Sequence, residues 1–392
     1  MVKLGDAPII ETKVDGQKLS VIVDGVARFA ALQSLIADAR ETLKLFYYIF
    51  ADDSHGLLVR EALIDACNRG VAVSVLIDGF GSGKVTDAFF QPLIDAGAQF
   101  ARFLPRYGRR YLLRNHQKML IADSRRALIG GGNIAADYFS ESTPLDQWHD
   151  LALVVEGTSV ARLAAWFDDL NLWVRSAKPG IRSLQKMLIE HSQAFGQIRW
   201  VMGGPFRRLS PYARILRNDL DAAHTVDMIQ AYFAPNWSFL RRLGRIATRG
   251  HLRIITAALS DNSTTIGAAR HCYALLLNRN SKIYEYQASK LHMKLIIADD
   301  VVYLGSANYD TRSLYINVEL MLRISDHAFA QALRHFYVGE IAKSQLVDSS
   351  WLKRTSGPFR RLRWFAAYFL FSTVDYTISR QFNIHPARSP NG

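Results

Sequence analysis

Asn115-His116-Gln117-Lys118 runs through an apolar stretch to Asp123 and on to Gly130-Gly131-Gly132-Asn133, and 176 residues beyond His116 the order returns as Leu291-His292-Met293-Lys294, Asp299 and Gly305-Ser306-Ala307-Asn308. In each copy His and Lys stand two apart, Asp follows the Lys by five, and a turn of small residues ends in Asn. Residues i and i+2 of an extended segment share a face, so each His lies beside its Lys. The first run reads as a hairpin, with Met119 to Ala122 and Ala127 to Ile129 as arms around Asp123-Ser124-Arg125-Arg126. From His to Asn the second copy is one residue shorter, which predicts a tighter turn at Asp299-Asp300. One His on an apolar strand is more often a packed residue than a catalyst, but four residue types repeated at matched spacing argue for a shared chemical role.

The flanking chain repeats as well. Residues 24 to 45 carry apolar side chains at helical spacing, Leu45 to Phe50 reads as a buried strand, Asp52-Asp53-Ser54 caps a helix over 55–68, and Val71 to Ile77 forms a second strand. That order predicts an α/β unit with a parallel pair. Asp78-Gly79-Phe80-Gly81-Ser82-Gly83-Lys84 lacks the residues a phosphate-binding loop needs and reads as a tight turn. After a helix over 87–96, a basic loop with Arg106, Arg109, Arg110 and Arg114 leads into His116 and suits capture of an anion. Trp148-His149-Asp150 opens a strand to Val155, and a helix near 158–174 closes the first half. The Gly- and Pro-rich segment from Ser176 to Pro211 marks a boundary, after which helix 211–222, strand 226–233, helix 236–248 and strand 252–257 restart the pattern. Arg69-Gly70 and Arg249-Gly250 are 180 residues apart, close to the offset of the two His, so the chain reads as an internal duplication. The expected fold is α/β: two duplicated mixed-sheet domains, residues 1–190 and 191–350, related by a pseudo-two-fold axis about one shared active-site cleft, followed by a segment over 351–392.

With 392 residues and about half of them apolar, the chain can form two cores. A formal net charge of +13 implies an anionic partner, nucleic acid or acidic lipid. Cys67 and Cys272 are the two cysteines, too few and too far apart for a disulfide framework or a zinc site. The N-terminus lacks the apolar core of a signal peptide, and no stretch approaches the roughly 18 apolar residues of a spanning helix. The expectation is a protein at the cytoplasmic face of the membrane, held peripherally. In the last segment, Lys353, Arg354, Arg360, Arg361 and Arg363 adjoin Trp364-Phe365-Ala366-Ala367-Tyr368-Phe369-Leu370-Phe371, with no acidic residue from Ser349 to Val374. Such a helix suits a lipid interface, the plainer reading being a terminal helix docked on the core.

Cleavage of a phosphodiester needs a nucleophile, an acid for the departing alkoxide, and positive and neutral donors on the non-bridging oxygens. Two His supply the first pair, and Lys118, Lys294, Asn133 and Asn308 supply the rest. No metal or other cofactor is called for. An attacking imidazole also benefits from a carboxylate on its other nitrogen. Asp150 and Glu319, each on the strand following its own motif, are the candidates.

These residues resemble the paired motifs of the phospholipase D superfamily. Tyr47-Tyr48-Ile49-Phe50, Asp78-Gly79-Phe80-Gly81-Ser82, Ile283-Tyr284-Glu285-Tyr286 and Gly305-Ser306-Ala307-Asn308-Tyr309-Asp310-Thr311-Arg312-Ser313 are most similar to the bacterial cardiolipin synthases, in the shorter form without N-terminal membrane segments. The resemblance implies a phosphatidyltransferase working through a covalent phosphohistidine, with His116 as nucleophile, His292 as acid and then base, and phosphatidylglycerol as acceptor. It also implies structural duty for Asp123 and Asp299, and substrate contacts at Gly131, Ser306 and Arg114. A phospholipase D that hydrolyses phospholipid to phosphatidic acid, and a nuclease of the same superfamily, are the alternatives. His149 departs from the pattern, standing where related sequences commonly carry Arg.

Overall fold

The computed structural model describes residues 10–103, 113–139, 146–177, 179–193 and 196–374. Its frame is two eight-stranded mixed sheets. In the first, the strands lie in the order Ile10–Val14, Gln17–Ile22, Ala152–Glu156, Arg126–Gly130, Lys118–Ala122, Thr42–Tyr47, Ala72–Asp78 and Gln99–Phe103. In the second they run Ile198–Gly203, Glu319–Ser325, Val301–Gly305, Lys294–Ala298, Thr225–Gln230, His251–Ala257, Lys282–Tyr286 and Ser344–Val347. Six strands of each sheet correspond, three antiparallel pairings followed by two parallel ones. The sheets differ at their edges. An N-terminal hairpin extends the first, while Ile198–Gly203 and Ser344–Val347 flank the second.

Alternation explains the layering, since successive side chains of a strand leave by opposite faces. Met119, Ile121, Ile129 and Leu153 of the first sheet join Leu295, Ile297, Leu304 and Leu322 of the second in one core, with helices Val160–Arg175 and His327–Ala342 packed into it. The opposite faces carry a core each. Leu43, Leu45, Leu120 and Leu128 meet helices Gly25–Asp38, Ser54–Asn68 and Asp87–Asp95, while Met228, Ile254, Ile296 and Tyr303 meet helices Pro211–Ala222, Trp237–Arg249 and Ser263–Leu277.

One strand reading from sequence needs correction, and the segment placed at the boundary between the halves is structured. The Gly- and Pro-rich boundary segment holds a helix, Ile181–His191, and the edge strand Ile198–Gly203. Leu184 and Leu188 fix that helix in the shared core, so the stretch is packed structure. The strand expected over Leu45 to Phe50 instead spans Thr42–Tyr47. Its start is set by Asp123, whose carboxylate accepts the backbone N–H groups of Arg40, Glu41 and Thr42, and beyond Tyr47 the chain leaves the sheet so that Tyr48 lies against His116.

Candidate active site

Both motif hairpins are built alike. Lys118–Ala122 and Arg126–Gly130 flank a three-residue turn, and Lys294–Ala298 and Val301–Gly305 flank a two-residue one. Asp123 and Asp299 sit in these turns at φ 52° and 47°, a region Asp tolerates better than most residues. The Asp299 carboxylate accepts from His224 and Thr225 as Asp123 does from residues 40 to 42, so each motif Asp ties its turn to the start of the neighbouring strand. Each Lys ammonium donates to the carbonyl of its own His, Lys118 to His116 at 2.7 Å and Lys294 to His292. Both Lys are about 1 % exposed, so their stems are fixed by packing.

The halves then exchange contacts. The backbone N–H of His116 donates to Val318 O, immediately before Glu319, and that of His292 donates to His149 O, immediately before Asp150, both at 2.8 Å. The side chains follow. His116 Nδ1 lies 3.2 Å from Glu319 Oε2 and 3.1 Å from Ser306 O, and His292 Nδ1 lies 2.7 Å from Asp150 Oδ2. Each carboxylate therefore serves the His of the other half. Because the partners of Nδ1 are acceptors, Nδ1 carries the proton in both rings and Nε2 keeps the lone pair. The His292 Nε2 is 3.4 Å from the Tyr138 hydroxyl.

Electrostatics keep the imidazoles neutral. Burial, then Lys118, lowers His116 from its ordinary range, and burial, then Lys294, lowers His292 to about 3. Burial opposes ionisation of Asp150 and Glu319, yet the facing His and Lys hold both below the usual carboxylate range. Burial also brings Lys118 down to about 7 and Lys294 to about 8. Asp150 and Glu319 supply part of the countercharge for the two ammonium groups, and a bound anion would hold both Lys charged more firmly.

The other residues named from sequence differ in what they touch. Asn133 is committed internally, accepting from Ile49 N–H and donating to Tyr138, whereas Asn308 Oδ1 has no hydrogen-bond partner among the described residues. Gly131 and Ser306 face the carboxylates: a Cβ on Gly131 would lie 2.7 Å from Asp150 Oδ2, and Ser306 Oγ donates to Glu319 at 2.5 Å. Arg114 is buried beside His116 with its guanidinium 3.5 Å over the Phe80 ring. Arg106, Arg109 and Arg110 lie outside the described residues. His149, the departure from the pattern, stacks on Tyr286 and donates to Glu340 at 2.7 Å, a further clamp between the halves.

Three contributors were missed. Asp78 ends its strand buried, accepts from Phe80, Gly81 and Asn115, and so fixes the residue before His116; burial raises its carboxyl to about 6. The turn reading of 78–84 was right, but its hold on Asn115 left no trace at that range. Tyr138 lies five residues beyond Asn133 in a short helix, Ala136–Phe139, and Arg28 donates to Tyr138 O and Trp148 O beneath Asp150. Neither belongs to a repeated pattern.

Residues 32–171 and 216–337 match the family described as cardiolipin synthase, PLD-like domain. The chain belongs to that family. Cardiolipin synthase B of Escherichia coli is 30 % identical over 358 residues, covering 87 % of this chain and 85 % of its own length. Cardiolipin synthase 1 of Bacillus cereus is 29 % identical over 336 residues, covering 81 % of this chain, which spans 64 % of that relative's length. Among solved structures, phosphatidylserine synthase of Haemophilus influenzae superposes with a TM-score of 0.70 at 11 % identity, covering 96 % of this chain and 98 % of its own. At that identity the likeness shows the fold, and it extends over both halves.

Proposed function

We propose that the chain is a phospholipid phosphatidyltransferase of the cardiolipin synthase type, acting peripherally at the cytoplasmic face of a membrane through a phosphohistidine. The observation that carries this is the crossed pairing: each His donates its Nδ1 proton to a carboxylate of the opposite half, which leaves two Nε2 lone pairs beside two buried ammonium groups. Lys118 and Lys294 neutralise the phosphoryl oxygens of the anionic phosphodiester, and binding of that anion draws a proton from solvent onto His292 Nε2. Arg114 and the Asn308 amide supply further contacts. His116 Nε2 then bonds to phosphorus as the bond to the head-group oxygen breaks, and His292 gives its proton to that oxygen. In the second step His292 removes the proton of the acceptor hydroxyl, the new phosphorus–oxygen bond forms, and the bond to His116 breaks. With phosphatidylglycerol as donor and acceptor, the products are cardiolipin and glycerol.

Purified protein incubated with phosphatidylglycerol vesicles should form cardiolipin. Phosphatidic acid without cardiolipin would establish the hydrolase instead, and cleavage of DNA without lipid turnover the nuclease. The crossed pairing adds a sharper check. His116→Ala should lose turnover and the acid-labile phosphoenzyme together, whereas His292→Ala should lose turnover but retain slow labelling of His116 by a donor with an activated leaving group.

A further inference from the structure

The C-terminal helix, Pro358–Phe369 with its wider last turn Leu370–Val374, does two things that the sequence reading set against each other. One side is docked. Trp364 and Ala367 are buried on helix Ser263–Leu277, where a Cβ on Gly267 would lie 3.3 Å from the Trp ring, and His271 stacks on Tyr368. The other side is bare. Phe359, Leu362, Phe365, Phe369 and Leu370 are 88, 64, 49, 47 and 49 % exposed. Phe359, Leu362, Phe365 and Phe369, spaced by three and four residues, share one face, Leu370 extends it into the last turn, and Arg360, Arg361 and Arg363 are exposed among them.

A cavity of about 710 Å³ opens at the foot of this face, between helices Ser263–Leu277, Ser349–Thr355 and Pro358–Phe369. Leu277, Leu352 and Phe365 line its apolar wall, and Lys353 and Arg361 stand on it with His271. Arg270, also on the lining, is already paired with Glu285. A pocket with cations beside an apolar wall fits an anionic amphiphile.

We infer that this face seats the protein on an anionic bilayer, with the cavity taking the phosphate and part of one acyl chain of a bilayer phospholipid that is not the reacting one. Charge decides the occupant. Lys353, Arg354, Arg360, Arg361 and Arg363 carry no acidic neighbour between Ser349 and Val374, so a second copy would bring like charges together across a two-fold axis. An acidic lipid surface meets them instead, each basic residue near it multiplying partitioning about fivefold, and the bare apolar side chains enter the acyl boundary. The attachment is also tied to the chemistry. Tyr368 Oη donates to Pro235 O at 2.9 Å, and Phe371 packs on the cluster of Ala234, Ala268 and Ala367; Ala234 lies two residues after Tyr232, whose ring centroid is 6.4 Å from that of His292.

The inference rests on the lipid-surface reading above, but its test needs no turnover. The full chain is floated with phosphatidylcholine vesicles with and without phosphatidylglycerol, beside the variant Phe359→Ser/Leu362→Ser/Phe365→Ser and the variant Lys353→Glu/Arg361→Glu. Wild type should float preferentially with the anionic vesicles, and both variants should lose that partitioning roughly tenfold or more, while turnover of substrate in detergent micelles and the sedimentation coefficient stay at wild-type values. Wild-type flotation of the triple variant, equal flotation with both vesicle types, or a change in self-association without a change in flotation would each overturn it. If flotation behaves as expected and wild type turns over no lipid in micelles, the docking surface stands and the proposed catalysis fails.

Discussion

At His292 the carboxylate is Asp150 and the small residue beside it is Gly131; at His116 the carboxylate is Glu319 and the corresponding residue is Ser306. The shorter acid reaches its imidazole because no side chain intervenes at position 131. Among the described residues, and apart from the adjacent backbone N–H of Leu151, its hydrogen bonding goes to that ring. The longer acid is shared, accepting from Ser306 Oγ and from Asn317 Nδ2 as well as from His116. A carboxylate already satisfied by other donors stabilises an imidazolium less. Both imidazoles are neutral in the free protein, and once a bound anion offsets the ammonium groups the difference suits His292 to taking up a proton and His116 to staying a neutral nucleophile. It gives the two roles a local cause within a duplicated frame.

The largest effect should come from the carboxylates themselves. Asp150→Asn removes the main support of the His292 imidazolium and should lower kcat about 10³- to 10⁴-fold, while Glu319→Gln, with Ser306 and Asn317 still in place, should cost roughly tenfold less than that. Equal losses in steady-state assays would erase the functional asymmetry. Next come the small residues. Gly131→Ser places a Cβ against both Asp150 oxygens and should cost about 10²-fold or more, whereas Ser306→Gly deletes the hydroxyl's hydrogen bond to Glu319, worth roughly 10- to 100-fold, together with the one it accepts from Leu320 N–H.

The ammonium pair offers a pH test with a worked sign. Lys118, lowered to about 7, and Lys294, lowered to about 8, are charged in the free protein only below those values, so kcat/KM should fall as pH rises through about 7 and then 8. Stability moves the other way. A Lys whose folded pKa lies below its unfolded one binds fewer protons folded than unfolded between the two, so unfolding free energy rises with pH across that window. Lys118→Met should remove the limb near 7 from the residual activity, leave the one near 8, and flatten the Lys118 part of the stability profile, read by denaturant titration at several pH values. A smaller change belongs to Tyr138→Phe. Its hydroxyl touches His292 Nε2 at 3.4 Å and anchors Asn133, and its loss should lower kcat several-fold while moving the acidic limb of the pH profile.

Much of this frame could be read in the chain because its causes are local. Apolar runs with a His and a Lys two apart, closed by a turn Asp and a small-residue bend, specify a hairpin wherever they occur, and their repetition exposed the duplication. The crossing of Asp150 to His292 and of Glu319 to His116 joins positions 142 and 203 residues apart, and no spacing within one half encodes it. Asp78, Arg28 and Tyr138 were silent for the same reason: each acts by reaching backbone or rings brought near by the fold. The C-terminal helix was legible in composition but not in placement, since Trp364 and Phe365 are adjacent in sequence yet one is buried and the other bare.

The turn Asp residues test the frame with the least effect on chemistry. Asp123 accepts three backbone N–H groups and Asp299 two, so Asp123→Ala should destabilise more than Asp299→Ala, each by about 1–3 kcal/mol. Burial opposes ionisation of Asp123, but the donors from Thr42, Glu41 and Arg40 hold its carboxyl below the ordinary value. Its contribution is therefore complete above the unfolded carboxyl range and is lost as pH falls through the lower folded value. Thermal unfolding of wild type and Asp123→Ala should thus differ at pH 7 and converge as the solution is acidified below about pH 4. A gap that persists in acid would mean that Asp123 acts through its neutral side chain at a left-handed turn, and that the two hairpins are held by their backbone geometry instead of by charge.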